Sequence, residues 1–265
     1  MSTEKRGILE SDAPHLSIVV PAYDEESRIG ASIARMVDYF DSQKYSYEIL
    51  VVDDGSCDRT LEVVAEKAAG HQNVRSLHYE GNRGKGYAVR FGMLKAAGDF
   101  ILFSDADLAT PIEEIEKLFE QIRTGAEVAI GSRDVPGSRL VKRQSMFREL
   151  GGKLFNRCVQ RVGVPGIHDT QCGFKLFTRA AAEKIFSRCQ IDNFSFDVEV
   201  LYLARLLGYR IAEVPVVWEH QEGSKVKVWR DAPRMIKTLF KIRSTNYHLQ
   251  TVAASCFLIL ILLLF

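Results

Sequence analysis

The feature that most restricts the fold is an alternation. In the first half of the chain, five short apolar runs are separated by stretches with helical periodicity. Residues 16–21 (LSIVVP), 48–52 (EILVV), 74–79, 99–103 and 128–131 read as strands. Between them, residues 27–40 place Ile29, Ile33, Met36, Val37 and Phe40 on one helical face. Residues 58–69 form a second helical stretch with Asp58 as its N-cap, and 86–97 a third. Residues 111–123 begin with Pro111, a residue tolerated in the first turn of a helix. Strands that alternate with helices imply an α/β fold with a mostly parallel central sheet and helices on both faces. The 265 residues suffice for one large domain of this kind, and no internal repeat or low-complexity linker divides it.

The pattern changes after Gly131. Residues 133–161 carry eight Lys or Arg against two acids, with Phe147, Leu150, Leu154 and Cys158 at helical spacing. Residues 197–207 read as a helix, 210–218 as a strand and 231–243 as a helix. The cations Arg230, Arg234, Lys237 and Lys241 form one stripe on that last helix. The final 15 residues, TVAASCFLILILLLF, carry no charge, whereas a bilayer span needs ~20 apolar residues. They are expected to be a membrane segment, either a truncated span or a shallow anchor. The N-terminus has no apolar stretch of the signal-peptide kind. The five cysteines form no CxxC pair and no zinc spacing, so free thiols in a reducing compartment are expected. With 35 Lys plus Arg against 34 Asp plus Glu, net charge gives no argument for nucleic acid.

Three polar clusters fall where strands end, the edge at which open α/β sheets bind ligands. They are PAYDEE at 21–26, DDGS at 53–56 and DAD at 105–107. Carboxylates gathered on one rim repel unless a cation or a donor-rich ligand offsets them. PAYDEE is no dinucleotide fingerprint, and Gly81-Asn82-Arg83-Gly84-Lys85-Gly86 is no P-loop, since glycine follows Lys85. That glycine loop nonetheless opens a helix, and a helix N-terminus is a phosphate site in waiting.

In order, the blocks VVPAYDEE, VVDDGS, NRGKG, FSDADLATP, GSR, DTQCGFK, FDVEVLYLA and EGSK span roughly residues 16–243. They resemble the family 2 glycosyltransferases of GT-A fold, and within them the polyprenyl-phosphate sugar synthases of the dolichyl-phosphate glucose and mannose type. The resemblance implies that Asp105 and Asp107 hold Mg²⁺ or Mn²⁺ on the diphosphate of a nucleotide sugar. It implies a nucleoside pocket of Pro21, Tyr23, Glu25, Asp53, Asp54 and Ala106, with Lys85 at the diphosphate or sugar. Gln171 and Phe174 would shape the sugar site, and His220 and Lys225 would close over the diphosphate. Arg133, with Arg139 and Arg148, would take the acceptor phosphate, for which arginine offers bidentate capture. Asp169 falls where a catalytic base is often placed. A phosphate monoester has a second pKa of about 6, so the acceptor is already a nucleophile and Asp169 is expected to position an arginine or the sugar hydroxyls. Asp197 and Glu199 follow the same logic.

Mannosyl members tend to read DADLQHPP, with a glutamine able to reach the metal. Here Ala109 stands at that place, which leans towards glucose. The expected activity is inverting transfer of a hexose, glucose from UDP-glucose first, onto a polyprenyl phosphate by a membrane-associated enzyme with a cytoplasmic catalytic domain. GDP-mannose as donor, and a non-catalytic scaffold that binds nucleotide sugar, stay open as alternatives. Expected partners are the UDP-sugar or GDP-sugar donor, the lipid acceptor and the membrane, with no nucleic acid. The expected division is a tail at 1–15, a catalytic domain at 16–228, a basic amphipathic helix at 229–246 and a hydrophobic membrane segment at 247–265.

Overall fold

The computed structural model describes residues 13–141 and 164–219. Strands β1 (Leu16–Ala22), β2 (Tyr47–Asp53), β3 (Val74–His78), β4 (Phe100–Ser104), β5 (Val128–Ser132), β7 (Phe174–Thr178) and β8 (Ile211–Pro215) form one seven-stranded sheet. Its order is β3-β2-β1-β4-β7-β5-β8. The β1–β2, β1–β4, β2–β3 and β5–β8 pairings are parallel, while β7 runs antiparallel between β4 and β5. Every residue of β1, β2 and β5 is buried, as a sheet covered on both faces requires.

Side chains alternate between two hydrophobic layers. Val19, Leu50, Val52, Ile101, Phe103 and Phe177 face one layer, under helices α3 (Lys85–Lys95), α5 (Arg179–Phe186) and α6 (Phe196–Leu206). Ile18, Val20, Ile49, Val51, Leu102 and Leu176 face the other, under α1 (Ile29–Asp41) and α4 (Ile115–Arg123). On α1 the buried residues are Ile29, Ser32, Ile33, Met36, Val37 and Phe40, the stripe that the spacing predicts. Helix α2 (Thr60–Gly70) begins one residue after Arg59, yet Asp58 Oδ1 still accepts the Thr60 amide at 2.9 Å. Pro111 precedes a short 3₁₀ turn (Ile112–Glu114) that leads into α4. The single strand expected at 210–218 is two: β8, and β9 (Val217–Trp218), which pairs with β6 (Arg139–Leu140) in a separate ribbon.

Strand order reverses between β1 and β4, where β2 and β3 continue to one side and β7, β5 and β8 to the other. The crevice at such a switch point is where open α/β sheets bind ligands. It opens between PAYDEE and DAD.

The sheet is mostly parallel as expected, with β7 alone entering from the opposite direction. The fold expectation is corrected in the membrane segment, which is not part of the described α/β fold. No helix among the described residues is long and apolar enough to cross a membrane. Helix α1 has 13 residues. At 1.5 Å per residue it reaches about 20 Å, against a hydrocarbon core of about 30 Å. The expected segments at 229–246 and 247–265, and the helical spacing at 147–158, lie outside the described residues.

Candidate active site

The loops after β1 and β2 are stitched together by polar contacts. Asp24 takes a left-handed φ of 48°. Its amide donates to Ser56 Oγ at 2.9 Å, and its Oδ1 accepts the Cys57 amide at 2.8 Å. Glu25 donates its amide to Thr60 Oγ1 at 2.7 Å, and its carboxylate is gripped by Arg28, whose Nη2 lies 2.9 Å from Oε1. Asp24 raises the Tyr23 phenol above its ordinary value, since a phenolate there would face a carboxylate. Asp53, 2% exposed, accepts the Ser56 amide at 3.2 Å. Pro21 is buried within β1.

Asp54 is committed to the glycine loop. Its carboxylate accepts Tyr79 Oη at 2.9 Å, the Arg83 amide at 2.7 Å and the Gly84 amide at 2.9 Å. Gly84 has φ 100°, and a Cβ there would lie 2.4 Å from the carbonyl oxygen of Asp192. That same carbonyl accepts the Gly86 amide at 2.8 Å. The Arg83, Gly84, Gly86 and Tyr87 amides thus already donate to Asp54 and Asp192, and the Lys85 ammonium is the loop's charged contribution. A polar cleft of about 390 Å³ lies between the glycine loop and residues 190–193.

Lys85 reaches the DAD cluster, its Nζ lying 2.6 Å from Asp105 Oδ1. Burial opposes its charge, but Asp105 and then Asp197 outweigh that and hold the ammonium above its ordinary pKa. After Ala106 the chain turns through Leu108, which has a left-handed φ of 46°. Ala109 then donates its amide to Asp107 Oδ1 at 3.1 Å. Burial first, and the Asp105 charge second, raise the Asp107 carboxyl above its usual value, against the Ala109 amide, Arg28 and Lys85. The rim is thus less repulsive than its composition suggests. Glu25, Asp53, Asp54 and Asp105 have partners within the protein, and the residual strain concentrates on Asp107.

Asp105 and Asp107 suit a hard divalent cation, which takes oxygen ligands. Among the described residues no three His, Cys, Asp or Glu side chains form a metal cage. A pair of carboxylates completed by substrate phosphates and water is the usual arrangement for Mg²⁺. A cation there would also relieve the charge that lifts Asp107.

The second half of the site is Arg133 at the end of β5. Asp169 Oδ2 accepts the Arg133 amide at 3.0 Å and Nε at 2.6 Å, and Oδ1 accepts Nη2 at 2.8 Å and the Gln171 amide at 3.2 Å. Burial works against the Asp169 charge, but Arg133 overcomes it and holds the carboxyl below its usual pKa. The guanidinium lies 5.5 Å from the Trp218 ring centroid, within cation–π range. Glu213 fixes the loop from below, accepting the Asp169 amide at 2.7 Å and the His168 amide at 2.9 Å.

Residues 17–186 match the family described as "Glycosyl transferase family 2". The chain belongs to it. This glycosyltransferase is 38% identical over 244 residues to a dolichyl-phosphate beta-glucosyltransferase of Dictyostelium discoideum, covering 88% of this chain and 75% of that protein. It is 38% identical over 249 residues to the human protein of the same name, covering 89% and 77%. Its fold is similar to that of glucosyl-3-phosphoglycerate synthase from Mycobacterium tuberculosis, solved with Mn²⁺, UDP and glucosyl-3-phosphoglycerate. That match has TM-score 0.63 at 18% identity and covers 88% of this chain and 79% of the solved one. Mannosyl-3-phosphoglycerate synthase from Rubrobacter xylanophilus gives TM-score 0.63 at 20% identity, covering 88% and 73%. The expectation of a membrane-associated enzyme is withdrawn. The described part of this glycosyltransferase holds no helix long and apolar enough to cross a membrane.

Other expected site residues fall elsewhere. Phe174 is wholly buried in the core beneath the site rather than lining it. Arg139 is exposed on the β6–β9 ribbon. Asp197 is buried against Lys175, and Glu199 accepts the Gln190 and Ile191 amides at 3.0 and 2.9 Å, so neither is free to meet a sugar. Arg148, His220 and Lys225 lie outside the described residues. The Cys57, Cys172 and Cys189 thiols are free, and burial pushes Cys172 up to about 12, so it stays protonated.

Sequence reasoning passed over Gly173, Arg28 and Trp218. Gly173 accepts the Asp105 amide at 3.0 Å, and a Cβ there would stand 2.0 Å from Asp105 Oδ2. Gly173→Ala must therefore push the first aspartate aside. A displacement of about 1 Å at a reacting centre costs ~10²-fold in rate. We expect that loss in a sugar-transfer assay, with the protein still folded by circular dichroism.

Proposed function

We propose that this glycosyltransferase moves glucose from UDP-glucose to a polyprenyl phosphate of the dolichyl type, with Asp105 and Asp107 holding Mg²⁺ or Mn²⁺. The observation that carries the donor and acceptor is the 38% identity to dolichyl-phosphate beta-glucosyltransferases across 88% of the chain. A β-linked product from an α-linked nucleotide sugar requires inversion, a single in-line displacement. An acceptor phosphate oxygen forms the bond to the anomeric carbon as the bond to the UDP oxygen breaks.

Each half of the site has a task in that displacement. Arg133, fixed by Asp169, takes the acceptor phosphate. Lys85 lies beside Asp105, where charge develops on the departing diphosphate. The divalent ion supplies Lewis-acid stabilisation of that diphosphate when bound. Asp169 has both oxygens engaged by Arg133 and Gln171, which suits a holder of the arginine and not a proton acceptor. No base is needed, since the acceptor is mostly dianionic above about pH 6. Catalysis is positioning and charge stabilisation. Tyr23, Glu25 and Asp53, on the stitched β1 and β2 loops, form the nucleoside side. Ala109 is 7% exposed and its carbonyl accepts the Glu219 amide at 2.7 Å, so this position would offer a cation no side-chain oxygen.

Calorimetric titration of the full chain with UDP-glucose and with GDP-mannose, each with Mn²⁺, tests the donor. We expect UDP-glucose to bind at least ~10²-fold more tightly, about 2.7 kcal/mol. Tighter binding of GDP-mannose would overturn the assignment.

A further inference from the structure

We propose that the buried Lys175–Asp197 pair positions Asp105 for the divalent cation, acting through the turn at residues 172–173. The inference rests on the metal reading above. Lys175 is the second residue of β7, paired with Phe103 of β4 on one side and Ile130 of β5 on the other. It is 1% exposed, among the largest fully buried side chains of the described protein. Burying an ammonium and a carboxylate in a core is costly, and well-packed apolar residues of similar volume are often as stabilising. Stability alone is therefore a weak reason for the pair. Nothing in the transfer chemistry uses Lys175 directly.

Its contacts lead to the metal site. The Lys175 ammonium donates to the carbonyl of Cys172 at 2.6 Å and pairs with Asp197 in the first turn of α6. The residue after Cys172 is Gly173, whose carbonyl accepts the Asp105 amide at 3.0 Å and whose Cα packs directly against the Asp105 carboxylate. The ammonium thus anchors one peptide of a turn whose next residue grips Asp105 by both main chain and side chain. On its other side Asp105 meets Lys85, at 2.6 Å. The Asp197 charge also acts favourably on Lys85. Asp197 therefore bears on the first aspartate through Lys175 and through Lys85, while its own charge repels that of Asp105, and Lys175 and Asp197 are positioning residues. Groups that orient metal ligands in this way typically change metal affinity by ~10–100-fold when removed.

The test is the double variant Lys175→Met/Asp197→Leu in the full chain, which removes both charges and keeps the volume apolar. Mn²⁺ binding is read by electron paramagnetic resonance in the presence of UDP, beside the thermal midpoint. We expect a midpoint within a few degrees of the parent and a Mn²⁺ dissociation constant raised about 10-fold or more, with the Mn²⁺ concentration for half-maximal transfer rising by the same factor. Should the double variant not accumulate as folded protein, Asp197→Asn, which keeps a hydrogen-bond acceptor for the ammonium, carries the test and shifts the same constant in the same direction. Unchanged Mn²⁺ affinity in a folded variant overturns the inference. Failure of the wild type to bind Mn²⁺, or equally tight binding by Asp107→Ala, overturns the metal reading and the inference with it.

Discussion

Asp107→Ala lowers glucosyl transfer by at least ~10³-fold while the protein folds as before. The carboxylate lies at the switch point of the sheet. Burial and the neighbouring Asp105 raise its pKa, so its ionised form is disfavoured in the folded state. A carboxyl raised in this way subtracts from stability progressively as the pH rises above its ordinary value of about 4. Truncation removes that cost and also loses the 3.1 Å bond from the Ala109 amide, worth about 1 kcal/mol. The two effects oppose each other, so the thermal midpoint stays within a few degrees. Catalytically there is no such offset. On the proposed role, loss of one of the two carboxylates that would hold the metal forfeits several kcal/mol of charge stabilisation on the departing diphosphate. Transfer assays with Mn²⁺, beside thermal melts, check both halves. An active Asp107→Ala enzyme would remove the metal role from this residue.

Asp169→Asn affects both stability and rate. The wild-type carboxylate is 4% exposed and compensates an arginine that is itself mostly covered. Removing its charge leaves a guanidinium without its counter-ion, at a cost of about 3 kcal/mol. The pH dependence has a definite sign. The Asp169 carboxyl is depressed in the folded protein, so its contribution is fully present above about pH 4 and fades as the solution is acidified through the folded value. The stability gap between wild type and variant is therefore flat from pH 5 to 8 and narrows below about pH 4. On the proposed acceptor role of Arg133, transfer falls by ~10²-fold because the guanidinium is no longer held in place. The acidic limb of the residual activity still follows the acceptor's second ionisation near pH ~6. A limb that vanishes in the variant would instead identify Asp169 as the proton acceptor.

The first half of the fold is legible because strands β1, β2 and β5 are buried on both faces and its helices are not. Runs such as LSIVVP leave no choice of face, and the α1 stripe from Ile29 to Phe40 has one periodicity. The β7–α5 unit escapes notice for a physical reason. Phe174–Thr178 carries a lysine at its second position, which breaks an apolar run unless the buried Asp197 is known to meet it. Its antiparallel insertion between β4 and β5 is a tertiary fact with no local signal. The carboxylates at the rim are visible in sequence, but their partners are not. Asp54 is satisfied by a loop 29 residues away, and the helix N-terminus at Gly84–Gly86 is closed by Asp192, far along the chain. Charges near a strand end reveal where a site lies. Which of them remain available to a ligand depends on contacts that only the folded chain makes.

The central claim is glucosyl transfer from UDP-glucose to a lipid phosphate. Incubating the purified full chain with Mn²⁺, a polyprenyl phosphate and radiolabelled UDP-glucose, with GDP-mannose in a parallel reaction, tests it most directly. Label in the lipid phase from UDP-glucose, lost on chelation of the metal, is the result this account predicts. Lipid label from GDP-mannose alone, or from neither donor, would contradict it.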